Sequence, residues 1–152
     1  MLRLSKKADY ALMAMKHLAV HGDRESSSAR EIAEQYNIPI ELMAKVLQRL
    51  VRRGLLASHQ GTRGGYQLAR RPGQISVADV IQAIDGPVMV TACSSDDDGG
   101  CDQFAKCNVR DPLWKVRQRI LAALGDCTIA ELATDTAPMP MSAHAAVLHT
   151  HS

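Results

Sequence analysis

Three cysteines lie close together in one polar stretch of the chain: Cys93, Cys101 and Cys107. The residues between them are mainly aspartate, glycine and serine, which offer little apolar surface to bury. Packing in a hydrophobic core therefore does not explain these thiols, whereas thiolate chemistry does. The stretch is predicted to be a metal site or a redox site.

The spacing of the thiols limits the kinds of site that they could form. Seven residues separate the first pair and five the second, which fits no common zinc pattern such as paired C-x-x-C motifs, so zinc stays open only as a weaker alternative. The segment has no histidine or cationic pair that would activate a nucleophilic cysteine, and we expect the chain not to be an enzyme. Cys127 lies twenty residues past Cys107. It is predicted to be a semi-buried packing residue, with a fourth-ligand role as the alternative.

Composition indicates a helical, cytosolic protein. The 152 residues are 46% hydrophobic but only 3% aromatic, and this mixture favours helices over sheets. No apolar run approaches the length of a membrane span, and no hydrophobic signal region follows the opening residues. Because disulfides are rare in the cytosol, the clustered cysteines favour metal or redox chemistry over a disulfide framework.

Charge divides the chain into two unlike halves. Residues 1–71 carry thirteen Lys or Arg against six Asp or Glu, whereas residues 72–152 carry five against ten. A basic half in a cytosolic protein is typical of contact with a polyanion such as DNA. Ordinary solvated helix faces remain the alternative explanation of the charge alone.

The basic half has the pattern of a helix-turn-helix. Apolar residues at helical spacing predict a first helix of about sixteen residues, with Ser5 as its N-cap. Ser28 and Glu31 form a capping box for a short second helix, and Pro39 is predicted to begin a third, which runs through Arg53. The outward positions of that third helix are polar and basic: Glu41, Ala44, Lys45, Gln48, Arg49 and Arg52. Two helices joined by a tight turn, the second with such a face, indicate DNA recognition.

A glycine-rich hairpin follows the third helix. Residues 55–59 and 66–69 are predicted to be short strands, and the intervening loop holds three glycines that permit a tight turn. Such a hairpin is a wing, and it can place Arg63 in the minor groove of DNA, although a solvated turn residue is the alternative. The residues predicted to contact double-stranded DNA are Arg30, Glu41, Lys45, Gln48, Arg49, Gln60 and Arg63.

The acidic half is predicted to contain a short helix over 77–84, capped by Ser76, and a long helix that starts at Asp111 and Pro112. Because winged modules read two half-sites, a homodimer built on the long helix is expected, with packing on its own subunit as the alternative. The predicted fold class is mainly α with a small β-wing: a winged helix-turn-helix plus a long C-terminal dimerisation helix. The expected regions are 1–72 for DNA binding, 73–133 for the cysteine loop and dimerisation helix, and 134–152 as a disordered tail.

Several motifs resemble the Rrf2 family of winged-helix iron-sulfur transcription regulators, which includes the IscR and NsrR groups. They are L-x-R-L-V-R-R-G-L-L-x-S-x-x-G-x-R-G-G-Y-x-L-A-R, then I-S-V-A-D-V-I-Q-A-I-D-G-P, then three cysteines before a long helix. The resemblance covers about residues 1–133. Within the family, S-A-R-E-I-A-E, T-R-G-G-Y and C-N-V-R-D-P-L-W-K-V are most similar to regulators of the SUF iron-sulfur assembly operon. The resemblance implies a homodimer whose cluster state sets its DNA affinity.

The same resemblance implies a ligand set for a [2Fe-2S] or [4Fe-4S] cluster. Cys93, Cys101 and Cys107 correspond to the three thiolate ligands, and thiolates are the donors that hold such clusters. The IscR pattern has a histidine ligand three residues after the third cysteine, where this chain has Arg110, which cannot ligate. The NsrR pattern takes a carboxylate from the first helix of the partner subunit, and Asp9 stands at that position. An aspartate favoured by the helix dipole is the alternative reading of Asp9.

The sequence thus predicts a cluster-dependent transcriptional regulator, of SUF-type assembly genes, that senses cluster, redox or iron status. Three alternatives stay open: a nitric-oxide-sensing repressor of the NsrR type, a metal-free regulator that switches through its thiols, and a metal chaperone that does not bind DNA.

Overall fold

The computed structural model describes residues 4–21, 26–62, 64–88, 106 and 108–134, with the side chain of residue 110 excepted. Its elements in chain order are α1 (Lys6–Val20), α2 (Ala29–Tyr36), α3 (Ile40–Arg52), β1 (Leu56–His59), β2 (Gly65–Leu68), a 3-10 turn (Pro72–Gln74), α4 (Val77–Asp85), α5 (Arg110–Asp126) and α6 (Ile129–Thr134). The fold is mainly helical with one two-stranded antiparallel sheet, which confirms the predicted fold class.

Side-chain caps begin three of these helices where the sequence predicts them. The Ser5 hydroxyl accepts a hydrogen bond from the Ala8 amide at 3.1 Å. Ser28 and Glu31 form a complete capping box, with hydrogen bonds of 3.1 and 3.2 Å. Ser76 caps α4 in the same manner. Each cap satisfies a backbone N–H that the first turn of a helix leaves without an internal partner.

The third helix begins one residue later than expected. Pro39 has a ψ of 130°, which is not helical, so it precedes α3 as the N-cap and Ile40 is the first helical residue. The apolar stripe nevertheless faces the core, with Met43, Val46 and Leu47 buried. The opposite face of α3 is therefore left to solvent.

The wing is a hairpin that is anchored to the start of α2. Leu56 pairs with Leu68 at its base and His59 with Gly65 near its tip. Ser27 forms an antiparallel bridge with Tyr66 of β2. The Ser27 amide donates to the Tyr66 carbonyl at 3.2 Å, and the Ser27 carbonyl accepts from the Tyr66 amide at 2.8 Å. The strands thus lie within one residue of the predicted ranges, and the wing has a fixed position beside the helix-turn-helix.

A single hydrophobic cluster joins these elements around α1. Its fully buried members include Met15 of α1, Ile32 of α2, Leu47 of α3, Val80 of α4 and Ile129 of α6. The core therefore continues past residue 72, where the sequence predicts a boundary, into α4 and α6. That boundary stays a prediction.

Helix α5 packs on α4 but keeps much of its apolar surface exposed. The side chains of Leu113 and Ile120 are half-buried, whereas Val116 is 42% exposed and Trp114 is 54% exposed. The Arg117 guanidinium lies 5.2 Å from the centre of the Trp114 ring. Within the described residues, α5 thus shows both packing on its own chain and a surface open to a further partner. No helix in this part of the chain is long and apolar enough to cross a membrane.

Candidate nucleic-acid interface

The exposed face of α3 is a polar and basic ridge. Glu41, Lys45, Gln48 and Arg52 recur at spacings of three and four residues, and each is exposed. Residues so spaced project from one side of a helix, and the buried stripe of α3 fixes that side toward solvent. The structure therefore places these predicted DNA-binding side chains together on one surface.

A cleft separates this ridge from the wing. It is lined by Gln48 and Arg52 of α3, by Ser28 at the start of α2, and by the wing loop residues Gln60 and Gly61. Ser28 is tied to the wing through its neighbour Ser27, whose backbone pairs with Tyr66. The cleft walls are thus held by backbone hydrogen bonds rather than by flexible side chains alone.

The wing loop closes tightly. The Gly64 amide donates to the Gly61 carbonyl at 3.0 Å, and a Cβ added at Gly64 would lie 2.6 Å from the His59 carbonyl oxygen. Gly61 has a φ of +117°, a conformation that side chains disfavour. Gln60 is exposed beside it. Arg63, the predicted minor-groove residue, lies outside the described residues, and its role stays a prediction.

Arg49 has a role that the sequence does not reveal. Its Nε donates a hydrogen bond of 2.9 Å to the Ala83 carbonyl in the last turn of α4. Arginine has five N–H donors, so this contact occupies one of them while the residue stays exposed on the ridge side of α3. Arg49 therefore ties α3 to α4, in addition to its predicted contact with DNA.

Arg30 lies on α2 next to Ala29, which lines the wing cleft. Its Nη1 lies 4.0 Å from the Glu34 carboxylate, and the two side chains are 72% and 65% exposed. An exposed pair of this kind contributes little to stability, so Arg30 can exchange Glu34 for a phosphate at small cost.

Two lysines missed by the sequence reasoning flank the same ridge. Lys6 and Lys7 line a second cleft, on the side of α3 that faces α1 and α4. In the sequence, the net positive charge of residues 1–71 is the feature that could have indicated these two lysines. Helical periodicity assigns no DNA-facing role to the start of α1.

The metal-binding prediction falls mostly outside the described residues, since Cys93, Cys101 and Cys107 do so. Asp9 is described: it is exposed on the first turn of α1, where its amide donates to the Ser5 carbonyl at 3.1 Å. The described part of the chain contains no group of three or more His, Cys, Asp or Glu residues that could hold a metal ion. The ligand set stays a prediction.

Cys127 is half-buried between α5 and α6. Burial raises the pKa of this thiol, and the charge of Glu131 and a hydrogen bond to it raise the pKa further. A raised pKa keeps sulfur in the thiol form, which is a poor ligand and a poor nucleophile. These surroundings favour the predicted packing role over a fourth-ligand role.

Comparisons with known proteins agree with this architecture. The sequence profile of the Rrf2 family, described as an iron-dependent transcriptional regulator, matches residues 4–135. The IscR regulator of Cronobacter sakazakii is 32% identical over 142 residues, which are 93% of this chain and 86% of that protein. The IscR regulator of Xenorhabdus nematophila is 34% identical over 132 residues, which are 86% and 79% of the two chains.

Two solved structures have a similar fold. The IscR of T. potens has a TM-score of 0.69 at 26% identity and covers 93% of this chain and 96% of its own. CymR of B. subtilis, described as a global cysteine regulator, has a TM-score of 0.70 at 28% identity and covers 90% and 100%. Both likenesses extend over the helix-turn-helix, the wing and the helices that follow.

Proposed function

Because this chain belongs to the Rrf2 family of transcriptional regulators, we propose that it is a DNA-binding regulator whose iron-sulfur cluster sets its affinity for an operator. It is not an enzyme, as its relatives are helix-turn-helix regulators. The observation that carries the proposal is the exposed ridge of α3, placed beside an anchored wing. That pairing is the geometry by which winged helix-turn-helix proteins enter the major groove.

In this proposal the ridge and the wing have separate tasks. Lys45 and Gln48 of α3 read base edges in the major groove, and Arg49 and Glu41 complete that surface. Gln60 and Arg63 of the wing contact the backbone or the minor groove, and Arg30 contacts a phosphate. Only the base-edge contacts carry sequence information, so changes at Lys45 or Gln48 alter specificity whereas changes at Arg30 weaken binding uniformly.

The proposed cluster ligands are Cys93, Cys101 and Cys107, with Asp9 supplied by the partner subunit. Asp9 fits such a role because it is exposed on the first turn of α1 and is therefore accessible to a second chain. A bound cluster supplies an iron- and oxidant-sensitive centre with thiolate ligation. Seven residues separate Cys93 from the end of α4, and the last turn of α4 accepts a hydrogen bond from Arg49 of α3 at the Ala83 carbonyl. This connection is a route by which the state of the segment reaches the DNA-binding surface.

We also propose a homodimer, formed through the exposed apolar side chains of α5 and of its N-cap residue, Val109. Val109, Trp114 and Val116 are each at least 42% exposed, and two subunits match the two half-sites that such regulators bind. The proposed targets are SUF-type iron-sulfur assembly genes.

Anaerobic purification tests the cluster. We expect a brown protein that contains iron and acid-labile sulfide, and we expect the Cys101→Ala variant to lose both. A gel shift with the DNA upstream of the protein's own gene, repeated for cluster-loaded and cluster-free protein, should show salt-sensitive binding that differs between the two states. Equal binding in both states would exclude the cluster as the regulator of DNA affinity.

A metal-free thiol switch is the second candidate, favoured by the structural likeness to the cysteine regulator CymR. It predicts a colourless protein whose DNA affinity changes when an oxidant forms a disulfide within the cysteine segment. Iron and sulfide content separates the two candidates before any DNA is added. If the protein holds a cluster, its exposure to nitric oxide under anaerobic conditions then distinguishes a nitric-oxide sensor of the NsrR type from an iron or redox sensor.

A further inference from the structure

The cleft on the far side of α3 from the wing is strongly basic. Its lining includes Lys6 and Lys7 at the start of α1, with Lys45, Arg49 and Arg52 from α3; Asp85, at the end of α4, is the acidic residue among the lining side chains. Both Lys6 and Lys7 are exposed. An excess of positive charge around a concave surface attracts anions.

The position of this cleft suits a DNA duplex better than a small anion. The wing cleft and the α1 cleft share Gln48 and Arg52, so they lie on the two flanks of the same exposed ridge. A small anion fills one cleft and leaves the ridge uncovered. A DNA duplex that seats the ridge in its major groove carries phosphates along both groove edges, and these edges meet the wing on one flank and the lysine pair on the other.

Hydrogen bonds hold the lysine pair in place. The Ser5 hydroxyl donates to Asp85 Oδ1 at 2.5 Å, and the Ser5 amide donates to Asp85 Oδ2 at 3.2 Å. The residue before Lys6 is thereby fixed to the last turn of α4, which also receives Arg49 from α3. The start of α1 and the recognition helix are therefore attached to one common support, and their spacing is fixed.

We propose that Lys6 and Lys7 bind the DNA backbone on the flank of the recognition helix opposite the wing. This inference rests on the proposed DNA-binding function and extends its surface to a further element, α1. Lysine is a mobile point charge that suits phosphate without base specificity. The pair therefore increases affinity for every duplex and leaves the preference for the operator unchanged.

The test is fluorescence anisotropy with the full chain, purified anaerobically, over a series of potassium chloride concentrations. The two probes are a duplex of the DNA upstream of the protein's own gene and a duplex with the same bases in scrambled order. For Lys6→Ala/Lys7→Ala we expect the salt dependence, the slope of log K against log salt, to become shallower by about 1.8 per protomer, since each phosphate contact contributes about 0.9. Affinity for both duplexes should fall by the same factor. The charge-retaining Lys6→Arg/Lys7→Arg variant should keep the original slope.

A matched loss of charge elsewhere is the control. Lys115→Ala/Arg119→Ala removes two exposed charges from α5, with the oligomeric state checked by sedimentation. If this control flattens the slope as much as the α1 variant does, net charge explains the effect and the proposal is wrong. If the α1 variant keeps the wild-type slope but loses protection by inorganic phosphate in thermal unfolding, the cleft binds a small anion and the proposal is again wrong. Wild-type protein that binds no duplex in any cluster state overturns the proposed function itself, which is a separate result.

Discussion

At the scale of one residue, Arg49 combines a proposed DNA contact with a hydrogen bond to α4. Its neighbour Gln48 lies on the same exposed ridge and lines both clefts. Of the two residues, Arg49 is the one that donates a hydrogen bond to α4, at the Ala83 carbonyl. A substitution at either position removes a proposed DNA contact. Substitutions at the two positions should therefore differ in their effect on the stability of the protein rather than in their effect on DNA binding.

We predict that Arg49→Ala lowers both DNA affinity and the free energy of unfolding. The free energy of unfolding should fall by about 1 kcal/mol, because the Ala83 carbonyl loses a charged hydrogen-bond donor. Gln48→Ala should lower DNA affinity while unfolding changes by less than about 0.5 kcal/mol. Urea denaturation and anisotropy on the same preparations measure the two effects. Equal stability of the two variants would show that the Ala83 contact contributes nothing in solution.

His17 makes stability depend on pH. It stacks on His21, with ring centroids 4.3 Å apart, and its Nδ1 lies 3.0 Å from the Tyr36 hydroxyl. Burial lowers the pKa of His17 below its ordinary value of 6.5, the charge of His21 lowers it further, and Glu31 opposes both. The unfolded chain therefore binds a proton here at pH values where the folded chain does not.

The sign follows from that difference in bound protons. The contribution of His17 to stability is complete above pH 6.5 and is lost as pH falls from there toward the lowered pKa of the folded protein. We predict that the free energy of unfolding of His17→Gln falls less over this acidic range than that of the wild type. Urea titrations at a series of pH values measure it, and the His21→Gln variant should have an intermediate dependence. The same pH dependence in all three proteins would contradict the assignment.

At the scale of elements, the attachment of the wing depends on a glycine. A Cβ at Gly65 would lie 2.6 Å from the Ser27 carbonyl oxygen and 2.7 Å from its carbon, both of them backbone atoms that cannot rotate away. We predict that Gly65→Ala separates β2 from Ser27, costs about 1–3 kcal/mol of stability, and weakens DNA binding by displacing the wing.

The matched control is Gly125→Ala in α5. Nothing lies within 4 Å of a Cβ at Gly125, which is the penultimate residue of α5, so this change should alter the free energy of unfolding by less than about 0.5 kcal/mol. Thermal unfolding measures both variants. If Gly65→Ala proves neutral, the Ser27 bridge is not a structural attachment of the wing.

The elements that the sequence predicted well are those determined locally. Ser5, Ser28 and Ser76 each cap a helix within three residues of themselves, so their hydrogen bonds are set by short stretches of chain. The apolar stripe of α3 likewise depends only on helical spacing. These local signals were enough to predict the helix-turn-helix, the wing and the exposed ridge of α3.

The contacts that the sequence could not predict are long-range. Ser5 and Asp85 are separated by 80 positions, and Arg49 and Ala83 by 34. Their meeting depends on how α4 packs against α1 and α3, which no local pattern encodes. For this reason the sequence reasoning assigned Arg49 a single role and overlooked Lys6 and Lys7.

At the scale of the whole molecule, the last turn of α4 connects the DNA-binding half with the cysteine segment. It is attached to α1 through Asp85 and to α3 through Ala83, and the chain continues from it toward Cys93. A displacement of this turn would therefore move both flanks of the basic surface together. The proposed regulation through the cysteines needs such a shared support, because two half-sites must be approached with a fixed spacing.

The exposed side of α5 is the remaining feature at this scale, and it carries the prediction about assembly. Val116 is 42% exposed and Trp114 is 54% exposed, whereas Leu113 and Ile120 of the same helix are half-buried. We predict that Val116→Asp shifts the protein from dimer to monomer in analytical ultracentrifugation, because a charge cannot be buried without a partner. Binding to an operator with two half-sites should weaken by tenfold or more, whereas binding to a single half-site should not change. The exposed neighbour Gln118 provides the control, since Gln118→Glu adds the same charge and should leave the dimer intact. A Val116→Asp protein that remains dimeric would place the subunit interface on another surface.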